Sequence, residues 1–297
     1  MRIRIGSRGS VLARWQAEHV QGRLRDLGHE VEIVIITTTG DRIQDRRLES
    51  VGGKGAFLKE IEEALLAREV DLAVHSLKDV PTELPAGLHL VAMLERADPR
   101  DVLLSAGPVL RALPAGARIG TTSLRRRAQV RALRPDLVVE DLRGNVDTRI
   151  RRLREGLFDA ILLARAGLVR LGREGEATEV LEPDVMLPAP GQGAIALECR
   201  VEDPEMTAAM APLHHEATAR AVGAERAFLA ALHGGCNVPL GAHAVTSDGA
   251  LWLRGLVARE DGSAVVRGES RGADPVAVGR ALADDLLGRG AGELLAP

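Results

Sequence analysis

The sequence predicts an α/β fold in three domains: two layered lobes around a hinged cleft, then a smaller α/β domain with an antiparallel sheet. Three features predict it. Short apolar strands alternate with stretches of helical periodicity along most of the 297 residues, a pattern that builds helices onto a largely parallel sheet. Two segments, Asp98-Pro99-Arg100-Asp101 and Leu187-Pro188-Ala189-Pro190-Gly191-Gln192-Gly193, bracket a middle unit, so the chain leaves the first lobe, builds a second and returns. Three closely spaced strands near 241–246, 251–258 and 264–270 then read as an antiparallel sheet. The expected domains are 1–97 plus 194–213, 98–193, and 214–297.

Each element follows from local pattern. Residues 2–6 form a strand, followed by a helix with Val20, Leu24 and Leu27 on one face. Residues 31–36 read as a buried strand. The polar stretch 37–55 is too long for a plain connection and is expected to act as a lid. Phe57, Ile61 and Leu65 mark the next helix, and residues 70–74 and 88–94 are strands. In the middle unit the strands are 117–120, 137–140 and 159–163. Val146, Ile150, Leu153 and Leu157 give an amphipathic helix between the last two. Residues 194–199 return to strand, 216–232 are helical, and a closing helix starts at Pro275.

Composition excludes several function classes. No apolar run approaches the roughly 20 residues needed to cross a bilayer, and residues 1–6 lack a signal-peptide pattern. Cys199 and Cys236 make no disulfide framework. A cytoplasmic monomer with no membrane partner is expected. Tyrosine is absent and only three Phe and two Trp occur, which leaves few platforms for stacking bases; no nucleic-acid partner is expected. His214-His215 lacks metal-ligand spacing, and no metal is expected. Charge is unevenly spread. Residues 118–173 hold fourteen arginines against six acids, about +8, while the whole chain is −3. A basic middle in an acidic chain points to a local anion site.

Candidate chemistry sits in the turns. The helix after Thr121-Thr122-Ser123 opens with Arg125-Arg126-Arg127. Positive charge in a first turn opposes the macrodipole at about 0.3–1 kcal/mol per exposed charge, and no acid occurs between Arg118 and Pro135. Either this is a solvated arginine face, or bound anions neutralise it through helix N–H groups and guanidinium forks. Leu142-Arg143-Gly144-Asn145, with Arg149 one turn on, is a second such place. In the first lobe, Gly6-Ser7-Arg8-Gly9-Ser10 is an anion cradle or a plain strand-to-helix turn. Gly52-Gly53-Lys54-Gly55 is not a nucleotide phosphate loop. Val74-His75-Ser76-Leu77-Lys78-Asp79-Val80-Pro81 packs a hydroxyl, an ammonium and a carboxylate at the end of a buried strand. Asp79 is there as a catalytic group or as an ion-pair partner of Lys78, and His75 reads as a hydrogen-bonded core histidine. Cys199 reads as inert packing. Cys236 follows two glycines that leave its thiol unshielded, yet nothing adjacent activates it.

Taken in order, these stretches, with Pro190-Gly191-Gln192-Gly193 and Gly234-Gly235-Cys236-Asn237-Val238-Pro239, closely resemble the porphobilinogen deaminase family from Ile5 to the closing helix. The resemblance implies lobes built like those of periplasmic binding proteins and a dipyrromethane cofactor joined by a thioether to Cys236. It implies stepwise addition of four porphobilinogen molecules, each losing ammonia, to give the linear tetrapyrrole hydroxymethylbilane. Asp79 matches the family's catalytic aspartate. Arg8, Arg125, Arg126, Arg143, Arg149 and Arg170 match arginines that hold acetate and propionate groups. Ser10, Lys54, Ser76 and Lys78 match other cleft positions, and Thr122, Ser123, Gly144 and Asn145 fall within the matched turns. Asn237 stands where relatives often carry Gln, with no loss of activity expected. A two-lobed anion-binding module without chemistry is the competing interpretation; it leaves Cys236 and Asp79 idle.

Overall fold

The computed structural model describes residues 1–39, 58–232 and 238–295. It divides into two compact units, residues 1–96 with 194–219 and residues 97–193 with 220–297. The first is built on a five-stranded sheet in the order β2-β1-β3-β10-β4. Its strands are β1 (Arg2–Ser7), β2 (Glu30–Ile35), β3 (Leu72–Ser76), β4 (Leu88–Met93) and β10 (Ile195–Arg200). β1 pairs in parallel with β2 and β3, whereas β10 runs antiparallel to both β3 and β4. Helix α1 (Val11–Asp26) starts at Ser10, whose hydroxyl accepts from Ala13 N at 3.3 Å, a standard N-cap. It buries Ala17, Val20 and Leu24 against Ile3, Ile5 and Val74. Helix α2 (Lys59–Leu66) covers Val70 and Ala73 with Ile61, Ala64 and Leu65. β3 is buried from Leu72 to His75 because both faces of it are covered.

The second unit repeats the topology. Its sheet order is β7-β6-β8-β5-β9, with β5 (Asp101–Ser105), β6 (Arg118–Gly120), β7 (Val138–Glu140), β8 (Ala160–Ala164) and β9 (Glu179–Leu181). β6 pairs in parallel with β7 and β8, and β5 runs antiparallel to β8 and β9. In each sheet the odd, antiparallel strand directly adjoins a crossing of the chain: β5 follows the outward crossing and β10 the return. Helices α3 (Leu124–Leu133), α4 (Val146–Arg154) and α5 (Arg165–Arg170) follow β6, β7 and β8. This unit also contains the third sheet, β11 (Leu240–Ser247), β12 (Ala250–Ala258) and β13 (Val265–Gly272), antiparallel throughout. Phe228 and Leu232, together with Leu282 and Leu286 of α8 (Pro275–Gly288), fill its core. Helix α7 (Glu216–Ala231) supplies Phe228, α6 (Pro204–Met210) packs in the first unit, and α9 (Ala291–Leu295) ends the described chain.

Strand and helix positions agree with the sequence pattern to within about two residues, except that the helix read through Leu157 ends at Arg154 and leaves Leu157 outside it and exposed. The pattern does not reveal β5, β9, α5 or α6, nor that a short α9 follows α8 as a separate helix. β9 and α5 are too short to show a period, β5 lies just beyond Asp98-Pro99-Arg100, which reads as a loop, and α6 opens on the Asp203-Pro204 pair, which reads the same way. Among the described residues no helix is long and apolar enough to cross a membrane.

Candidate active site

The parallel strands of each sheet end together, and the sequence-selected residues gather at those carboxyl ends, where open α/β sheets bind ligands. In the first unit, β1 leads into Arg8 and Ser10. Ser10 spends its hydroxyl as the α1 cap. β3 ends at Ser76, which accepts from the buried Gln16 Nε2 at 2.8 Å. The chain then makes a single 3₁₀ turn, Leu77–Asp79. Leu77 N donates to Ala194 O at 3.0 Å, and Val80 N donates to Leu77 O at 3.0 Å. This turn is therefore pinned to β10, with Leu77 buried, Lys78 half-buried and the Asp79 carboxylate exposed. One layer behind, His75 Nε2 lies 2.9 Å from Glu198 Oε2 in the sheet core, as expected for a core histidine. Glu62 is buried against this pair, and desolvation, reinforced by the Glu198 charge, raises its pKa.

In the second unit, three turns line the same end. After β6, Thr121 Oγ1 accepts from Ser123 N at 3.2 Å, and Ser123 Oγ accepts from Arg126 N at 3.4 Å, starting α3 beyond Thr122. After β7, Arg143 lies 3.8 Å from Asp141 Oδ2. Gly144 takes φ +105°, and Asn145 occupies the N-cap position of α4 without a side-chain cap. Arg149 folds back to donate from Nε to Gly144 O at 2.8 Å. After β8, Arg170 donates to Gly193 O at 2.7 Å, and desolvation pushes its guanidinium down to about 10.

Arg125 and Arg126 correct one expectation. They are not a solvated face: both are buried, and a single protein carboxylate pairs with the two of them. Asp101, the first residue of β5 and fully buried, accepts from Arg125 Nη1 at 2.6 Å and from Arg126 Nη2 at 2.7 Å. The two guanidinium groups hold its carboxyl far below the usual carboxylate range against the cost of burial. No acid near α3 in sequence could reveal this, since Asp101 stands 24 and 25 positions upstream. Gln192 and Gln16 are further polar contacts that local pattern missed; Gln192 lies inside a recognised motif, but its partner does not. Arg127 instead bridges Asp141 and Glu260. Cys199 is buried, and desolvation pushes its thiol up to about 11, as inert packing requires. Lys54, Cys236, Asn237 and residues 40–55 of the expected lid lie outside the described residues. Among the described residues no cluster of His, Cys, Asp and Glu is suited to a metal.

Fold and site define an α/β protein whose sheets present arginine-rich and acidic turns at their carboxyl ends, a class that binds anionic small molecules. Residues 3–208 match the family described as porphobilinogen deaminase, dipyromethane cofactor binding domain, and residues 219–288 match the porphobilinogen deaminase C-terminal domain. The chain is 53% identical to the porphobilinogen deaminase of Roseiflexus sp. (strain RS-1) over 297 residues, 98% of each chain. It is 51% identical to that of Syntrophobacter fumaroxidans (strain DSM 10017 / MPOB), over 99% of this chain and 96% of the relative. A solved periplasmic substrate-binding protein of an ABC transporter from Coxiella burnetii is similar at TM-score 0.44 and 15% identity, covering 73% of this chain and 95% of that one. The chain belongs to the porphobilinogen deaminase family, enzymes of tetrapyrrole biosynthesis whose cofactor is dipyrromethane.

The second unit fits such a group. Its donors are guanidinium forks suited to carboxylates, two buried arginines share one aspartate, and the buried Arg125 Nε has no hydrogen-bond partner.

Proposed function

We propose that this chain joins four porphobilinogen molecules, with loss of ammonia, into hydroxymethylbilane. Asp79 acts as the catalytic aspartate, stabilising developing positive charge and shuttling the proton, and Cys236 anchors dipyrromethane through a thioether. When bound, that cofactor supplies a covalently held primer with a nucleophilic terminal pyrrole. Each porphobilinogen bears two carboxylates, so a growing chain is a polyanion that needs many cationic partners. Arg125, Arg126, Arg143, Arg149 and Arg170, with Arg8 and Lys54, supply them; Ser10, Ser76, Lys78, Thr122, Ser123, Gly144 and Asn145 are the further binding residues.

The observation that carries the assignment to Asp79 is its exposed carboxylate on a turn pinned by the Leu77–Ala194 hydrogen bond. Breaking the aminomethyl C–N bond releases ammonia and leaves a cationic pyrrole; forming the new C–C bond places positive charge on the attacking ring's nitrogen. A fixed carboxylate stabilises both charges and accepts the proton that the attacking ring carbon gives up. A pre-placed carboxylate needs no reorganisation at that moment, which is why a turn held by backbone bonds suits the task. The domains are taken as 1–97 with 194–213, 98–193 and 214–297, in a cytoplasmic monomer.

Intact-mass spectrometry of freshly purified protein tests the anchor. The chain is expected to exceed its sequence mass by a two-pyrrole adduct, and Cys236→Ser is expected to lose both adduct and turnover. An unmodified Cys236 in a protein that cannot acquire pyrroles when supplied with porphobilinogen would overturn this function.

A further inference from the structure

Within the second unit a buried polar chain runs from the third sheet to the first turn of α3. Glu225 of α7, fully buried, accepts from Ala244 N at 2.8 Å with Oε1 and from Gly191 N at 2.7 Å with Oε2. This fixes the turn preceding Gln192. The Gln192 amide then donates to Pro99 O at 2.6 Å and to Asp101 Oδ1 at 2.9 Å. Asp101 Oδ1 also accepts from Arg126 Nε at 3.2 Å and Nη2 at 2.7 Å, while Oδ2 accepts from Arg125 Nη1. The same Arg125 Nη1 also donates to Leu187 O at 2.7 Å, and Arg126 Nη1 donates to Leu162 O at 3.1 Å.

One carboxylate thus receives hydrogen bonds from three side chains and sets the planes of two guanidinium groups. The arrangement is more elaborate than neutralisation requires. Two cations share one anion, so a net positive charge stays buried, which is costly unless a further anion is to be met. We infer that Asp101, backed by Gln192 and Glu225, is a positioning residue that orients Arg125 and Arg126 for the carboxylates of a pyrrole substrate. The inference rests on the function proposed above. Asp101 acts through the arginines and touches no reacting atom, so its loss falls on binding more than on turnover.

Asp101→Asn keeps the shape but turns an N–H₂ group toward the arginines, and Gln192→Met removes only the support. Steady-state kinetics should show KM for porphobilinogen raised about tenfold in Asp101→Asn and less in Gln192→Met, with kcat within about threefold of wild type. In an Arg126→Lys background the Asp101→Asn effect on KM should shrink, because the part of it that runs through Arg126 is gone while Arg125 remains. A folded Asp101→Asn with wild-type KM, or an undiminished effect in that background, overturns the inference. Should Asp101→Asn fail to fold, the Gln192→Met KM decides alone, a rise upholding the inference and a wild-type value sinking it. Nitrogen-15 NMR of the arginine Nε–H groups reads the geometry without turnover. Hydrogen exchange at Arg126 Nε is expected to quicken at least tenfold in Gln192→Met, and an unchanged rate counts against the positioning role. A wild-type chain that consumes no porphobilinogen sinks the proposed function instead and leaves the NMR result to judge the geometry.

Discussion

Asp79 and Asp101 each sit at the carboxyl end of a five-stranded sheet and are opposites in environment. Asp79 is exposed on a one-turn helix; Asp101 is sealed in and bonded to Arg125, Arg126 and Gln192. A carboxylate whose lone pairs are taken by guanidinium groups cannot also follow the charge of a reacting ring. The catalytic assignment therefore favours Asp79. Asp79→Asn, which changes charge but not shape, should keep the fold and lower kcat by about 10²–10³; retention of more than a tenth of the wild-type rate in a circular-dichroism-matched sample would refute the role. Asp79 was legible because it follows a buried strand with Ser76 and Lys78 beside it. The role of Asp101 was not, because its partners lie one strand and one helix away, and sequence periodicity carries no information about such pairings.

At the scale of elements, the turns after the strands hold the arginines in place, and two glycines show how tightly. Gly144 has φ +105°, and a Cβ there would lie 2.8 Å from Thr148 Cγ2. Its carbonyl also receives Arg149 Nε. Gly193 has φ +89°, and a Cβ there would come within 2.4 Å of the Ala97 carbonyl oxygen, where one crossing segment bonds the other through Ala97 N and Gly193 O at 3.2 Å. Thr148 lies in the first turn of α4 and can give by a small shift of that turn; the Ala97 carbonyl cannot without moving the crossing. Gly144→Ala should therefore cost about 1–2 kcal/mol and raise KM by misplacing Arg149, whereas Gly193→Ala should cost about 3 kcal/mol or more. Urea denaturation of the two variants checks the order, and a smaller loss for Gly193→Ala would contradict this account. The Pro-Gly-Gln-Gly stretch was readable as the end of a unit. That its last glycine faces a carbonyl 96 residues upstream was not, since only the folded crossing brings the two together.

For the whole molecule the buried and half-buried carboxylates dictate how stability responds to acid. Asp71, Asp98 and Asp101 all have pKa values lowered in the fold, Asp71 by its hydrogen bonds and charge contact with Arg4, Asp98 by those with Arg100, and Asp101 by Arg125 and Arg126, each against desolvation. The unfolded chain binds protons at these sites first, so their contribution is complete above the ordinary aspartate value of about 3.9 and drains away below it. Glu62 works in the other direction. Desolvation, with the Glu198 charge beside it, raises its pKa, so the fold prefers it protonated and is penalised once the pH exceeds its folded value. Glu62→Gln should therefore be more stable than wild type at pH 7, with the advantage shrinking as the pH falls through the raised folded value of Glu62 and gone below about 4.5. Both proteins should lose stability steeply below pH 4, at up to about 1.4 kcal/mol per pH unit for each aspartate that takes up a proton. Urea midpoints measured from pH 7 to pH 3 separate the two effects. A Glu62→Gln midpoint below that of wild type at pH 7 would mean that the glutamate is held ionised by a partner, and that the Glu62–His75–Glu198 cluster stabilises the first unit as a set of charges.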